Sequence, residues 1–116
     1  MKEVSKLSYS IKKSTITLTR GDTLKAQINL ADEEGNPYVP EAGDVMRFAM
    51  KRSYYDDAVL INKVIPNDTM ILTLDPSDTK RLEFGSYVYD IQLTRSTGEV
   101  DTFVTKGTLN LTEEVE

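Results

Sequence analysis

The chain reads as an all-β protein, a single antiparallel β-sandwich of about seven or eight short strands with one short helix. Three observations predict this. Several stretches alternate apolar and polar residues with a period of two, as strands do when one face meets a core and the other meets water. Turn-forming residues separate these stretches at intervals of roughly 8–15 residues. Only one segment, beginning Asp75-Pro76, carries helix-start chemistry. A partly closed barrel shares these features, because strand number does not distinguish closure from two stacked sheets.

At 116 residues the chain fits one domain, large enough to hide roughly two-thirds of its unfolded surface without a metal or disulfide staple. It divides into a flexible arm or edge strand over 1–13, the sandwich over 14–112, and an acidic tail over 113–116. In the arm only Leu7, Tyr9 and Ile11 alternate, and weakly. No repeat, low-complexity stretch or interdomain linker interrupts the rest.

Ser14–Thr19 is β-branched, with Ile16 and Leu18 inward. Arg20-Gly21-Asp22 makes a tight connection; as an Arg-Gly-Asp triplet it also has the form of an integrin ligand, but Gly between two strands is ordinary turn chemistry. Leu24, Ala26, Ile28 and Leu30 then alternate along 23–30. Asp32-Glu33-Glu34-Gly35-Asn36-Pro37-Tyr38 is a hairpin tip, and its acids lack the alternate-position spacing of a calcium loop. Val45–Arg52 is a strand with Met46, Phe48 and Met50 on one face; such a stripe suits a core, or a peptide surface. Ser53–Asp57 forms a loop in which Asp56 and Asp57 point opposite ways and cannot converge on one atom. Ala58–Ile65 and Thr69–Leu74 are further strands, the second aligning Met70, Leu72 and Leu74. Asp75, Pro76 and Asp78 open the helix and Gly85 stops it, leaving room for one or two turns.

The next strand looks like the centre of the molecule. It places Tyr87, Tyr89, Ile91 and Leu93 on one face and Val88, Asp90, Gln92 and Thr94 on the other. Its Gly-x-Tyr-x-Tyr start resembles the immunoglobulin-like strand that carries a tyrosine corner, in which a Tyr bonds back to backbone a few residues upstream. Ser96–Glu99 turns the chain, Val100–Thr105 returns, Lys106-Gly107 permits a bulge, and Thr108–Thr112 closes the sheet.

Composition removes most chemistry. There is no Cys and no His, so the familiar nucleophile–base pairs and the commonest zinc ligands are missing. No Gly-rich phosphate cradle opens a helix. The expectation is a non-enzyme with no catalytic residues, no cofactor and no metal. A net charge of −5 with dispersed basic residues argues against nucleic-acid and membrane partners. Neither a signal peptide nor an apolar run of membrane-spanning length is visible.

The segments Ile16–Thr23, Asp32–Tyr38, Asp44–Lys51, Tyr89–Leu93, Gly98–Val100 and Gly107–Leu109, in that order, resemble the amino-terminal domain of the phage baseplate upper protein family, an immunoglobulin-like β-domain. The resemblance covers about residues 14–112 and rests on the order of the pieces, since each alone is turn-and-strand grammar. It implies a virion component made in the bacterial cytoplasm, belonging to a tail, baseplate or head–tail region of a phage or prophage. Its partners would be other phage structural proteins, with homo-oligomers possible, and assembly would use sheet edges and loop aromatics. Tyr38, Tyr54 and Tyr55 are the candidate contact residues. The alternative is a carbohydrate-binding module stacking those tyrosines on sugar rings, against which the absence of Trp weighs.

Overall fold

The computed structural model describes residues 10–12, 15–31, 34 and 36–113. In chain order the elements are β1 (Ser10–Lys12), β2 (Thr15–Thr19), β3 (Leu24–Gln27), β4 (Leu30–Ala31), β5 (Pro37–Tyr38), β6 (Val45–Lys51), β7 (Val59–Ile65), β8 (Ile71–Leu74), α1 (Pro76–Thr79), β9 (Gly85–Thr94) and β10 (Val100–Thr112). A six-stranded sheet runs β1-β2-β10-β9-β6-β7, and two two-stranded sheets, β3-β8 and β4-β5, complete an all-β sandwich. Three of the described strands have only two or three residues. Most of the expected arm, and all of the tail but Glu113 on the expected boundary, lie outside the described residues.

Alternation dictates the layers. On β9 the side chains of Tyr87, Tyr89, Ile91 and Leu93 are buried, whereas Val88, Asp90, Gln92 and Thr94 face outward. Met46, Phe48 and Met50 of β6 are fully buried beside them, so that stripe is core. Ile16, Leu18, Leu109 and Leu111 extend the same layer through β2 and β10. Leu24 and Ala26 of β3 and Leu72 and Leu74 of β8 close it from the second sheet. Each large apolar side chain removed from water in this way contributes about 1.5–3 kcal/mol.

The expectation of purely antiparallel pairing is corrected. β2 runs parallel to β10, from Thr15 opposite Thr108 to Thr19 opposite Thr112. Parallel pairing is available because β2 and β10 are far apart in the chain, so no hairpin fixes their direction.

Other boundaries move for local reasons. The stretch 23–30 breaks in two: β3 pairs with β8, the Ile28 N–H donates to the Met70 carbonyl at 2.8 Å, and Leu30 goes over to Tyr38 of β5. β8 starts at Ile71 because Met70 takes φ 54°, a left-handed turn closed by its N–H on the Pro66 carbonyl at 2.8 Å. The segments 100–105 and 108–112 form one strand, with register shifts between Thr102 and Val104 and between Val104 and Gly107.

The corner that launches β9 is tied down from three sides. Asp78 accepts the Asp75 N–H at 2.7 Å, half of a capping box that holds the first turn of α1. The Gly21 N–H donates to the hydroxyl of fully buried Thr79 at 2.9 Å. Arg20 donates to the Leu82 carbonyl at 3.1 Å and lies 4.2 Å over the Phe84 ring. The Tyr87 hydroxyl then donates to the Glu83 carbonyl, four residues upstream, at 2.6 Å. Arg20-Gly21-Asp22 is therefore a structural turn whose arginine is committed within its own chain.

Candidate interaction surfaces

The candidate tyrosines occupy opposite ends of the sheet. β6 begins at Val45, paired with Thr94, and ends at Lys51, paired with Val88. Its length, at about 3.3 Å per residue, separates those ends by roughly 20 Å. Tyr38 is at the Thr94 end, and Tyr54 and Tyr55 follow the Lys51 end.

Tyr38 is half-buried and internally engaged. Its ring stacks on Phe103 with centroids 6.0 Å apart, and the Arg95 guanidinium sits 5.1 Å above it. Arg95 also donates to the Tyr38 hydroxyl. The same guanidinium grips Asp101, with Nε at 2.9 Å and Nη2 at 2.6 Å from Oδ2. Asp101 first, then the Tyr38 hydroxyl, raise the pKa of Arg95. This cluster joins the β4–β5 hairpin to the β9–β10 hairpin, so the structure gives Tyr38 a holding role within its own fold. Nearby, the buried Asp44 carboxylate accepts the Glu41 N–H at 2.9 Å and the Ser96 N–H at 3.2 Å.

Tyr54 and Tyr55 are different. They are 52% and 95% exposed in the turn between β6 and β7. With Val59, Leu60 and Val64 of β7 they make up five of the nine large exposed apolar side chains among the described residues. No family model and no curated protein matches the chain.

β7 is a lateral edge of the six-stranded sheet, with β6 on one side and no described strand on the other. From Ile61 to Ile65 it pairs with β6 in regular register; Lys51 then pairs with Val59, so Leu60 is an extra residue that bulges β7 itself. Its one charged residue is Lys63, which turns across to the start of α1 and meets Asp78 at 3.0 Å and Asp75 at 3.6 Å. The hydrogen bond to Asp78 chiefly raises the Lys63 pKa, with burial opposing.

On the outer face of the same sheet, Tyr54 borders a shallow depression of about 220 Å³ that includes Ala49, Lys51, Val59, Val88, Asp90 and Gln92. Burial raises the pKa of Asp90, and the Lys51 charge opposes it. The depression thus sets the Asp90 carboxylate beside the Lys51 amine. Among the described residues no three acidic side chains converge as metal ligands, and no helix is long and apolar enough to cross a membrane.

Sequence reasoning singled out Tyr54 and Tyr55 but passed over the adjoining edge. The signal was present: Val59, Leu60 and Val64 put apolar residues off the core face of a strand whose inward positions are Ile61 and Ile65. The segment 58–65 reads in sequence simply as a further strand, and the pattern of one strand does not say which strand lies last in a sheet.

Proposed function

We propose that the protein is a non-enzymatic structural and interaction module of a phage or prophage virion, in its tail, baseplate or head–tail region, assembling through a sheet edge and loop aromatics. The observation that carries this reading is the β6–β7 hairpin. It gathers exposed Tyr54, Tyr55, Val59, Leu60 and Val64 along an unpaired edge, where backbone N–H and C=O groups can receive a neighbouring strand. We take the sandwich to be immunoglobulin-like. Supporting this are the parallel β2–β10 pair, the β10-β9-β6-β7 order facing β3-β8, and the short helix leading from β8 to β9. The Tyr87–Glu83 bond adds the tyrosine corner. Other virion proteins are the expected partners, and the bacterial cytoplasm the expected place of synthesis. Mass in solution over a concentration series, combined with capture of the structural proteins encoded beside this one, tests the reading. A strict monomer that captures none of them refutes it.

The outer-face depression favours one second reading, carbohydrate binding, because Tyr54 stands beside the polar groups of Asp90 and Gln92. Binding to purified cell wall that is lost in Tyr54→Ala would select it.

A further inference from the structure

Resting on the interaction-module reading above, we propose that the outer-face depression beside Tyr54 receives an arginine side chain from a protein partner, with the Tyr54 ring as its platform and Asp90 as its counter-charge. Burial pushes the Asp90 carboxyl up, so the fold gains nothing from that charge. Directly opposite on β6 stands Ala49, whose methyl group is too short to cover it. Among the described residues neither Asp90 nor Gln92 has a side-chain hydrogen bond, and no ion pair joins Asp90 to Lys51. The Tyr54 ring, 52% exposed, meets no other described ring and no guanidinium. Val59 and Val88 make the remaining wall apolar. Arginine matches these parts one by one. Its methylene stem suits the valines, its planar guanidinium the face of Tyr54, and its N–H groups the Asp90 carboxylate and the Gln92 amide oxygen.

The chain makes the same contact within itself three times. Arg20 lies 4.2 Å over Phe84, Arg52 4.7 Å over Tyr87 and Arg95 5.1 Å over Tyr38. Each also donates to an oxygen: the Leu82 carbonyl at 3.1 Å, the Ser86 carbonyl at 3.1 Å and the Asp101 carboxylate at 2.9 Å. Every one of these cations is an arginine and none a lysine, as expected where a flat group must stack and bond at once. Tyr38 and Asp101 supply a ring and an acid to Arg95; Tyr54 and Asp90 supply the same two halves to a cation from outside the chain. The net charge of −5 draws basic partners toward this surface. Lys51 is the one like charge at the depression, and its flexible stem lets it swing into solvent when a guanidinium enters. It therefore acts as a competitor for Asp90, which separates this reading from one in which the ligand is an anion.

The test is a titration of the isotope-labelled chain with a capped Gly-Arg-Gly peptide, followed through the backbone amide shifts in nuclear magnetic resonance. The controls are the same peptide carrying citrulline, the uncharged isostere of arginine, and N-acetylglucosamine. Saturable shifts at Val59, Val88 and Gln92 are expected with the arginine peptide, and binding about fivefold weaker or worse with citrulline. Asp90→Asn should weaken the arginine peptide about fivefold or more, and Tyr54→Ala about twofold to fivefold. Lys51→Gln should strengthen it roughly twofold. Melting curves of each variant establish that it is folded. No saturable shift with the arginine peptide overturns the inference, as does equal binding of the citrulline peptide. Tighter binding of the sugar, or weaker binding of the arginine peptide by Lys51→Gln, overturns it too. Each of these results leaves capture of other virion proteins by the whole chain to decide the proposed function separately.

Discussion

Gly107→Ala tests whether β10 closes the core as described. Gly107 is buried opposite Tyr89 in the β9–β10 pair. A Cβ at this position would lie 2.4 Å from Cζ of Tyr89 and 2.6 Å from each Cε. Carbon atoms in good contact are about 3.5–4.0 Å apart, so the ring must retreat by more than 1 Å. It has nowhere to go, being 2% exposed with its centroid 5.0 Å from that of fully buried Phe48. Replacing Gly by Ala where the backbone fits gains about 0.4–1 kcal/mol through the unfolded chain. Overpacking a tight core costs about 1–3 kcal/mol, and the size of this overlap favours the upper part of that range. The expected outcome is a net loss of about 1–2 kcal/mol in urea denaturation, with a melting temperature lower by several degrees. Tyr89→Leu removes the ring and is itself destabilising, but in that background Gly107→Ala should be close to neutral. The coupling in this cycle should be about 1–2 kcal/mol. Equal losses in both backgrounds, or a more stable single variant, would refute the account of the bulge.

Tyr87→Phe removes the hydroxyl bond to the Glu83 carbonyl, with an expected loss of about 1 kcal/mol by denaturant titration and an unchanged sheet signal in circular dichroism. Thr79→Val keeps the shape but leaves the Gly21 N–H without its acceptor, and should cost about 1–2 kcal/mol, seen in hydrogen exchange as faster opening of the β2–β3 turn. Asp90 has a raised pKa, chiefly from burial, so its ionisation opposes folding. Its relative benefit is fully present below the ordinary carboxylate pKa and is lost as pH rises through the folded value. Asn in its place should therefore raise the melting temperature slightly at pH 7 and not at pH 3. Lys63, raised chiefly by Asp78, contributes stability below the ordinary lysine pKa that is lost as pH climbs through the folded value. Partial exposure keeps that contribution under about 1 kcal/mol, and Asp78→Asn should reduce the alkaline loss seen in melts.

What was legible in the sequence was whatever a period of two encodes. The inward sets Tyr87–Leu93 and Met46–Met50 fell where alternation put them, because one-residue slips would have turned every one of those side chains to water. The bond from the Tyr87 hydroxyl to the Glu83 carbonyl was legible for a related reason, since a Tyr at the start of a strand has its bonding partner within a few residues. The parallel β2–β10 pair was not, because nothing in either segment specifies the direction of a partner some 90 residues away. Met70 was misplaced into a strand because its alternation with Leu72 and Leu74 was real, yet the Pro66 carbonyl had already claimed its N–H. Tyr38 was grouped with Tyr54 and Tyr55 because loop tyrosines look alike in sequence. Only the pairing order shows that Arg95 and Phe103 hold Tyr38 at the far end of the sheet.

The same limit bears on function. Periodicity describes the two faces of a strand, whereas a sheet that assembles does so along its edges, and edge status depends on which strand comes last. Val59–Ile65 illustrates the difference. Placed centrally, its apolar outer residues would only thicken a core; placed last, they stand exposed beside two exposed tyrosines, with no described strand hydrogen-bonded on that side. Lys63 would ordinarily be the residue that keeps such an edge solitary. Asp75 and Asp78, brought close by the capped start of α1, hold its charge on the inward side of the strand. The helix start legible in the sequence thus determines how the edge presents itself, through a contact that only the folded chain creates.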